Sequence, residues 1–415
     1  MTAHRGVSET RWRAWAVRGP FAIAAAALQG GMNYAIILYL SFAQDLAATG
    51  AYRTVFSYYG LLSLASMYES NKVYIRDVVR GDVDGLTAIV ANRLIFSLGS
   101  FLAIVLAWGI GRASGHFAVP DILLPIAAIS VCVYPFDLYL ARLQAERRFA
   151  YLFMIESLKY GGALLLFCLL IAIGWSVGLA VVAQLGLLAL CNLWFFALHC
   201  ARDVQFGAML VRPFALLNAT AARDARTYSI ANMLPASLEH VDKLLVGAVF
   251  GLQWLGIYAL AYSTGRFVYN IIKPALYVYY RHFVDAMPGW RLLRRVALGA
   301  TYLGALMAGV FLLLVAQWPV MVHFAMGRWV TVILFLGYGL GMLHALYAQA
   351  FALNRQSVAG HAFKAHLLAT TASLILLGGA LASPPATALV LLALQYPLRD
   401  GLSVLLMAYY RGIRV

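Results

Sequence analysis

The stretch Gly265-Arg266-Phe267-Val268-Tyr269-Asn270-Ile271-Ile272-Lys273-Pro274-Ala275-Leu276-Tyr277-Val278-Tyr279-Tyr280-Arg281 decides how this chain is read. Arg266, Asn270, Lys273, Tyr277 and Arg281 recur every three or four positions, so they share one face of a helix. The apolar segment around them, 253–281, is long enough to cross a bilayer. Ammonium and guanidinium groups at that depth are costly unless they line a wet or paired cavity. Pro274 removes a backbone donor beside Lys273 and favours a kink there. The stripe is therefore expected to face an interior that handles something anionic.

Working outward, the 415 residues are 63% hydrophobic and only 11% charged. That is about half the charged fraction of a soluble domain. Beta-barrel alternation is absent and the apolar runs are too long for membrane strands. The expected class is an all-α polytopic membrane protein. Cutting at charge clusters and Gly/Pro breaks gives twelve crossings, the first at 17–43 and the last at 385–410, in two six-helix bundles around a central cavity. The longest polar connection sets expected boundaries of 1–203, a cytoplasmic linker at 204–224, and 225–415.

Basic residues test the count. With the N-terminal tail in the cytoplasm, 23 of the 31 Lys and Arg residues fall on that side and only Arg112 and Arg328 on the other. Both termini are thus expected to be cytoplasmic, and the formal charge of +15 belongs to loops rather than to a nucleic-acid surface. The first apolar segment runs past signal-peptide length and reads as a retained helix. The two halves are faintly alike: Gly50-x-Tyr52 and Gly256-x-Tyr258 stand 206 residues apart, as do Tyr74 and Tyr280. Parallel repeats of this kind rock about a shared cavity.

Further intramembrane polar groups fall into smaller sets. Glu239 and Lys243 are spaced as an i,i+4 pair with Asp242 alongside. Glu156 and Lys159 are spaced for a local pair. Glu156, Asp137, Glu239 and Asp242 are candidates for ion coupling wherever desolvation favours the protonated form. Arg53 lies at the start of the second crossing and Lys72 near its end. Arg18, Gln29 and Asn33 share a face of the first crossing.

Catalytic chemistry finds no support. The nine histidines are scattered, and no phosphate-binding glycine loop is present. Cys132, Cys168, Cys191 and Cys200 fall singly in apolar segments, without disulfide or metal-ligand spacing. No cofactor or metal is expected.

Two stretches carry a family resemblance: Gly50-x-Tyr52 with Tyr74-Ile75-Arg76-Asp77, and His240-Val241-Asp242-Lys243-Leu244-Leu245-Val246-Gly247 followed by Leu255-Gly256-Ile257-Tyr258-Ala259-Leu260-Ala261. With them the chain resembles the polysaccharide flippases of the multidrug/oligosaccharidyl-lipid/polysaccharide exporter superfamily. That resemblance implies flipping of undecaprenyl-pyrophosphate-linked oligosaccharide from the cytoplasmic to the periplasmic leaflet of the bacterial inner membrane by alternating access. It implies a polyprenyl-pyrophosphate-linked glycan as ligand and transient contact with polysaccharide assembly machinery. One chain can make a complete cavity, so a monomeric working unit is expected. It places the diphosphate on Arg266 and Lys273 first, then on Lys243 and Lys72, with Arg53 at an outer gate and Asn270, Lys159, Arg18 and Arg399 contributing. The alternatives are a drug/cation exporter of the same superfamily and a non-transporting scaffold of a polysaccharide assembly complex. A lipid II flippase would need additional crossings for which the chain has no room.

Overall fold

The computed structural model describes residues 3–81, 85–114, 119–273, 276, 283, 288–353 and 359–412, with backbone alone for 3–19, 26, 29, 290, 320, 352–353, 359–362 and 411–412. Every described element is helical. They are α1 (Ala3–Ala43), α2 (Leu46–Ala65), α3 (Ser70–Val79), α4 (Gly85–Ser114), α5 (Leu123–Val133), α6 (Leu138–Ala145), α7 (Phe149–Ala172) and α8 (Val177–His199). The short α9 (Phe206–Val211) and α10 (Pro213–Asn218) lead to α11 (Thr220–Phe250) and α12 (Leu252–Ile272). The remainder are α13 (Trp290–Gln317), α14 (Val322–Ala325), α15 (Arg328–Leu336), α16 (Tyr338–Leu353), α17 (Ala359–Leu381) and α18 (Pro385–Gly412). Eight stretches are long and apolar enough to span a bilayer, and α15 with α16 makes a ninth, bent by 52°. This is a multi-pass, all-α membrane protein. The side chain of Gln29, and all of Tyr277, Tyr280 and Arg281, lie outside the described residues.

The 206-residue repeat has a physical meaning at the crossing of α2 and α12. A Cβ on Gly50 would collide with the Leu252 carbonyl, and one on Gly256 would collide with the Leu46 carbonyl. Each helix thus lays its glycine on the first turn of the other, an approach only a residue without a side chain permits. The preceding turns solve one problem in two ways. Asp45 caps α2 through its carboxylate, which accepts from the Ala48 amide at 2.6 Å. Gly251, at the equivalent place, ends α11 with a φ of +89°.

Several helices are broken, and one side chain secures two of the breaks. The α2–α3 break contains Met67 at φ +58°, and the α5–α6 break contains Pro135. Arg93, fully buried on α4, donates to the carbonyls of Tyr68 and Tyr134, to Ser70 and Asn71, and to the Asp137 carboxylate. The five N–H groups of a guanidinium suit a site where interrupted helices leave carbonyls unsatisfied. The sequence places Arg93 near a loop, but here its guanidinium is interior. Cys200, just beyond α8, is buried among Tyr74 and its neighbours, and burial pushes its thiol up to about 12. It behaves as a small hydrophobe.

Replacing Arg93 by Leu strands the Asp137 charge and two break carbonyls, a loss of about 3–5 kcal/mol. The expected outcome is poor recovery of monodisperse protein, partly restored by adding Asp137→Asn. Gly256→Leu forces α2 and α12 apart, and its melting temperature in detergent should fall well below that of wild type.

Candidate functional site

A cavity of about 380 Å³ is walled by α1, α2, α3, α11, α12, α16 and α18. Aromatic residues Tyr34, Tyr262, Phe267 and Tyr269 line it together with a dense set of charges. Five bases (Arg53, Lys72, Arg266, Lys273 and Arg399) face three carboxylates (Glu69, Glu239 and Asp400), an excess of two positive charges.

The pairing explains that excess. Glu239 Oε1 accepts from Arg399 at 2.9 Å and from Arg266 at 3.4 Å. Asp400 accepts from Arg399 at 3.0 Å and lies 4.0 Å from Arg266, with His344 Nδ1 at 3.3 Å. Lys72 pairs with Glu69. Lys273 and Arg53 make no ion pair among the described residues. Each instead lies against an aromatic ring, Lys273 Nζ at 5.8 Å from the Tyr269 centroid and the Arg53 guanidinium at 5.6 Å from that of Tyr262. Tyr269 also carries Arg266 at 4.3 Å. Internal cations thus occupy the carboxylates and aromatic faces of the cavity.

The structure sorts the sequence candidates. Arg266, Lys273, Lys72, Arg53, Asn270, Arg399 and Glu239 all reach this cavity. Lys243 and Asp242 do not line it. They are fully buried behind Glu239, where Lys243 donates to Asp242 at 3.0 Å, to the Glu239 carbonyl at 2.6 Å and to Tyr396 at 2.9 Å. Asp242 also accepts from Tyr258, Tyr396 and Gln395, which completes a closed polar cluster. Glu156 and Lys159 pair at 2.6 Å. Lys159 and Asp137 line a second cavity of about 290 Å³, which shares Asn33 and Arg53 with the first. Asp137 is bound to Arg93. The side chain of Arg18 lies outside the described residues.

Asp400, His344, Glu69 and Gln349 belong to the site but are not among the sequence candidates. Asp400 had a signal: an Arg-Asp doublet two residues after Pro397, inside an apolar segment. His344 and Gln349 are lone polar residues in α16 and carry none.

No protein-family model and no curated protein matches the sequence. Solved structures do. One is titled MATE in complex with Br-NRF, at 16% identity with a TM-score of 0.60, covering 97% of each chain. Another is the eukaryotic MATE transporter AtDTX14, at 13% identity and 0.60, covering 97% of this chain and 96% of that one. A third is an outward-facing multidrug resistance MATE family transporter of the MOP superfamily, at 11% identity and 0.52, covering 97% and 96%. The fold is that of MATE transporters.

These matches correct the expectation of a polysaccharide flippase, and with it undecaprenyl-pyrophosphate-linked oligosaccharide as cargo and polysaccharide assembly machinery as partner. The motifs behind that expectation describe the fold and not a cargo. Gly50 and Gly256 make the helix crossing, and Tyr258 closes the Asp242 cluster.

Cysteine placed at Lys273 or Asn270, in a background lacking the native cysteines, should react readily with a charged, membrane-impermeant thiol reagent in detergent. At Asp242, fully buried, it should stay unreactive until the protein is denatured. Equal rates at the two kinds of position would contradict the cavity as described.

Proposed function

We propose that this chain is a drug-type exporter that carries small amphipathic organic solutes, organic cations among them, across the bacterial cytoplasmic membrane by alternating access. The observation that carries the reading is the central cavity, whose 380 Å³ is in the range of sites for drug-sized ligands and whose wall mixes aromatic rings with charges of both signs. One similar structure is of a MATE protein holding Br-NRF and another is of a multidrug resistance transporter, which supports a solute of that kind. In this reading the chain makes twelve crossings in two halves, 1–203 and 225–415, joined at 204–224, with both termini in the cytoplasm. One chain then supplies the whole cavity and works as a monomer. A scaffold would be expected to close its polar faces with salt bridges, and two bases on a cavity wall without an ion pair among the described residues favour transport.

The geometry gives the solute a defined reception. A cationic group competes with Arg266 for Glu239 and for the face of Tyr269, while Arg399 holds the carboxylate in place. Arg266 so displaced still has Asp400 beside it. An anionic or strongly polar group on the same solute meets Lys273 and Arg53, the two cavity bases without a carboxylate partner among the described residues. The sites that bind the solute in one state are covered by the protein's own cations in its absence, so loading exchanges one set of contacts for another. The excess of positive charge disfavours multiply charged cations. Singly charged and zwitterionic amphiphiles fit best.

The test is efflux from proteoliposomes under imposed proton and sodium gradients, using a fluorescent monocation, a zwitterionic fluoroquinolone and a dication. Wild type should move the first two faster than the third. Glu239→Gln should impair the monocation at least about tenfold, roughly the 1.4 kcal/mol of one charge-assisted contact. Lys273→Gln should impair the zwitterion more than the monocation. No movement of any of the three under either gradient would defeat the reading.

A further inference from the structure

We propose that the apolar hollow between α12, α13 and α16 is a binding site for an anionic phospholipid, which inserts one acyl chain and rests its headgroup on the arginines at the start of α13. The hollow lies beside a bend. Gly304 lies on the Phe335 carbonyl and Gly339 lies on Thr301, so α13 and the α15–α16 junction are pressed together there. At Gly337 the chain bends by 52° between α15 and α16. Gly299 and Ala300 line the hollow and have almost no side chain to fill it. The result is a cavity of about 320 Å³ lined by Ile272, Leu276, Phe283, Leu303, Met342 and Leu346.

Its rim lies on the exposed face of α13. Leu292, Arg295 and Gly299 are exposed there, and the same helix goes on to expose Tyr302, Leu306 and Leu313, the surface a hydrocarbon phase covers. Water entering the hollow would find few polar partners, so a dry occupant is favoured. In a bilayer the dry material at hand is an acyl chain.

Charge selects the headgroup. Arg291, Arg294 and Arg295 are all exposed within the first two turns of α13, and that helix contains no acidic residue. None of the three makes an ion pair among the described residues. The N-terminal end of the helix adds its own partial positive charge. A zwitterionic headgroup brings an ammonium into this field, whereas phosphatidylglycerol brings only a phosphate, which guanidinium groups bind well. The wall between the hollow and the central cavity is the ring of Tyr269, which lines both. The site requires nothing of the transported solute and stands apart from the exporter reading.

The experiment is native mass spectrometry of the full chain in detergent, titrated with dioleoyl-phosphatidylglycerol or dioleoyl-phosphatidylcholine. Wild type should bind the anionic lipid about tenfold more tightly than the zwitterionic one. Gly299→Leu fills the hollow, and because a Cβ at Gly299 meets open space the variant should fold. It should lose the tight lipid. Arg291→Gln with Arg295→Gln, both at exposed positions, should erase the preference between the lipids while leaving weak binding of each. Glycerophosphate, a headgroup without chains, should not compete. Equal binding of the two lipids by wild type, or unchanged binding by Gly299→Leu, overturns the proposal. Competition by glycerophosphate overturns it too, because the arginines would then be a site for free phosphate. Displacement of the lipid by a drug-like solute at micromolar concentration would reassign the hollow to solutes.

Discussion

The crossing of α2 and α12 is the constraint on which the rest of the molecule depends. Two glycines, each against the backbone carbonyl of the opposite helix, fix where the helices touch and at what separation. No side chain stands between them at that point, and the central cavity is lined by residues of both helices. Arg53 and Tyr262 lie close to the crossing, Lys72 stands on α3 beyond the break that follows α2, and Lys273 stands at the end of α12.

The second organising rule is electrostatic. In a medium of low dielectric an unmatched charge is expensive, and the chain matches nearly all of its interior ones. Arg93 is spent on two helix breaks, Lys243 on Asp242, Lys159 on Glu156, and Arg399 on both Glu239 and Asp400. What remains unmatched is informative because so much else is satisfied. Arg53 and Lys273 both face the same cavity, and both rest on aromatic rings.

Much of this was legible in the residues. Apolar runs and their breaks gave the helices, and the stripe Arg266, Asn270, Lys273 gave the cavity face, because helical spacing and membrane depth are both local properties of sequence. The 206-residue offset was read as a sign of two similar halves, and the structure gives it a physical role in the helix crossing. Other parts were hidden for physical reasons. Lys243 has the same sequence credentials as Lys273, yet one is sealed by Tyr258, Tyr396 and Asp242 and the other is not, a difference made by helices distant in sequence. Arg93 sits beside a loop in the chain and at the centre of a bundle in space. His344 reaches Asp400 only because α16 and α18 pack together. The cargo was misread because the residues that repeat most clearly, Gly50 and Gly256, hold backbones together and do not line the cavity.

A joint made of backbone also sets a mechanical advantage. Seventeen residues separate Gly256 from Lys273 along nearly continuous helix, a lever arm of about 25 Å at 1.5 Å per residue. A tilt of about ten degrees at the fulcrum would sweep the ammonium of Lys273 through about 4 Å, roughly the span between a made and a lost ion pair. Rotations too small to disturb the packing of a helix pair are therefore large enough to rewrite which charges in the cavity are partners.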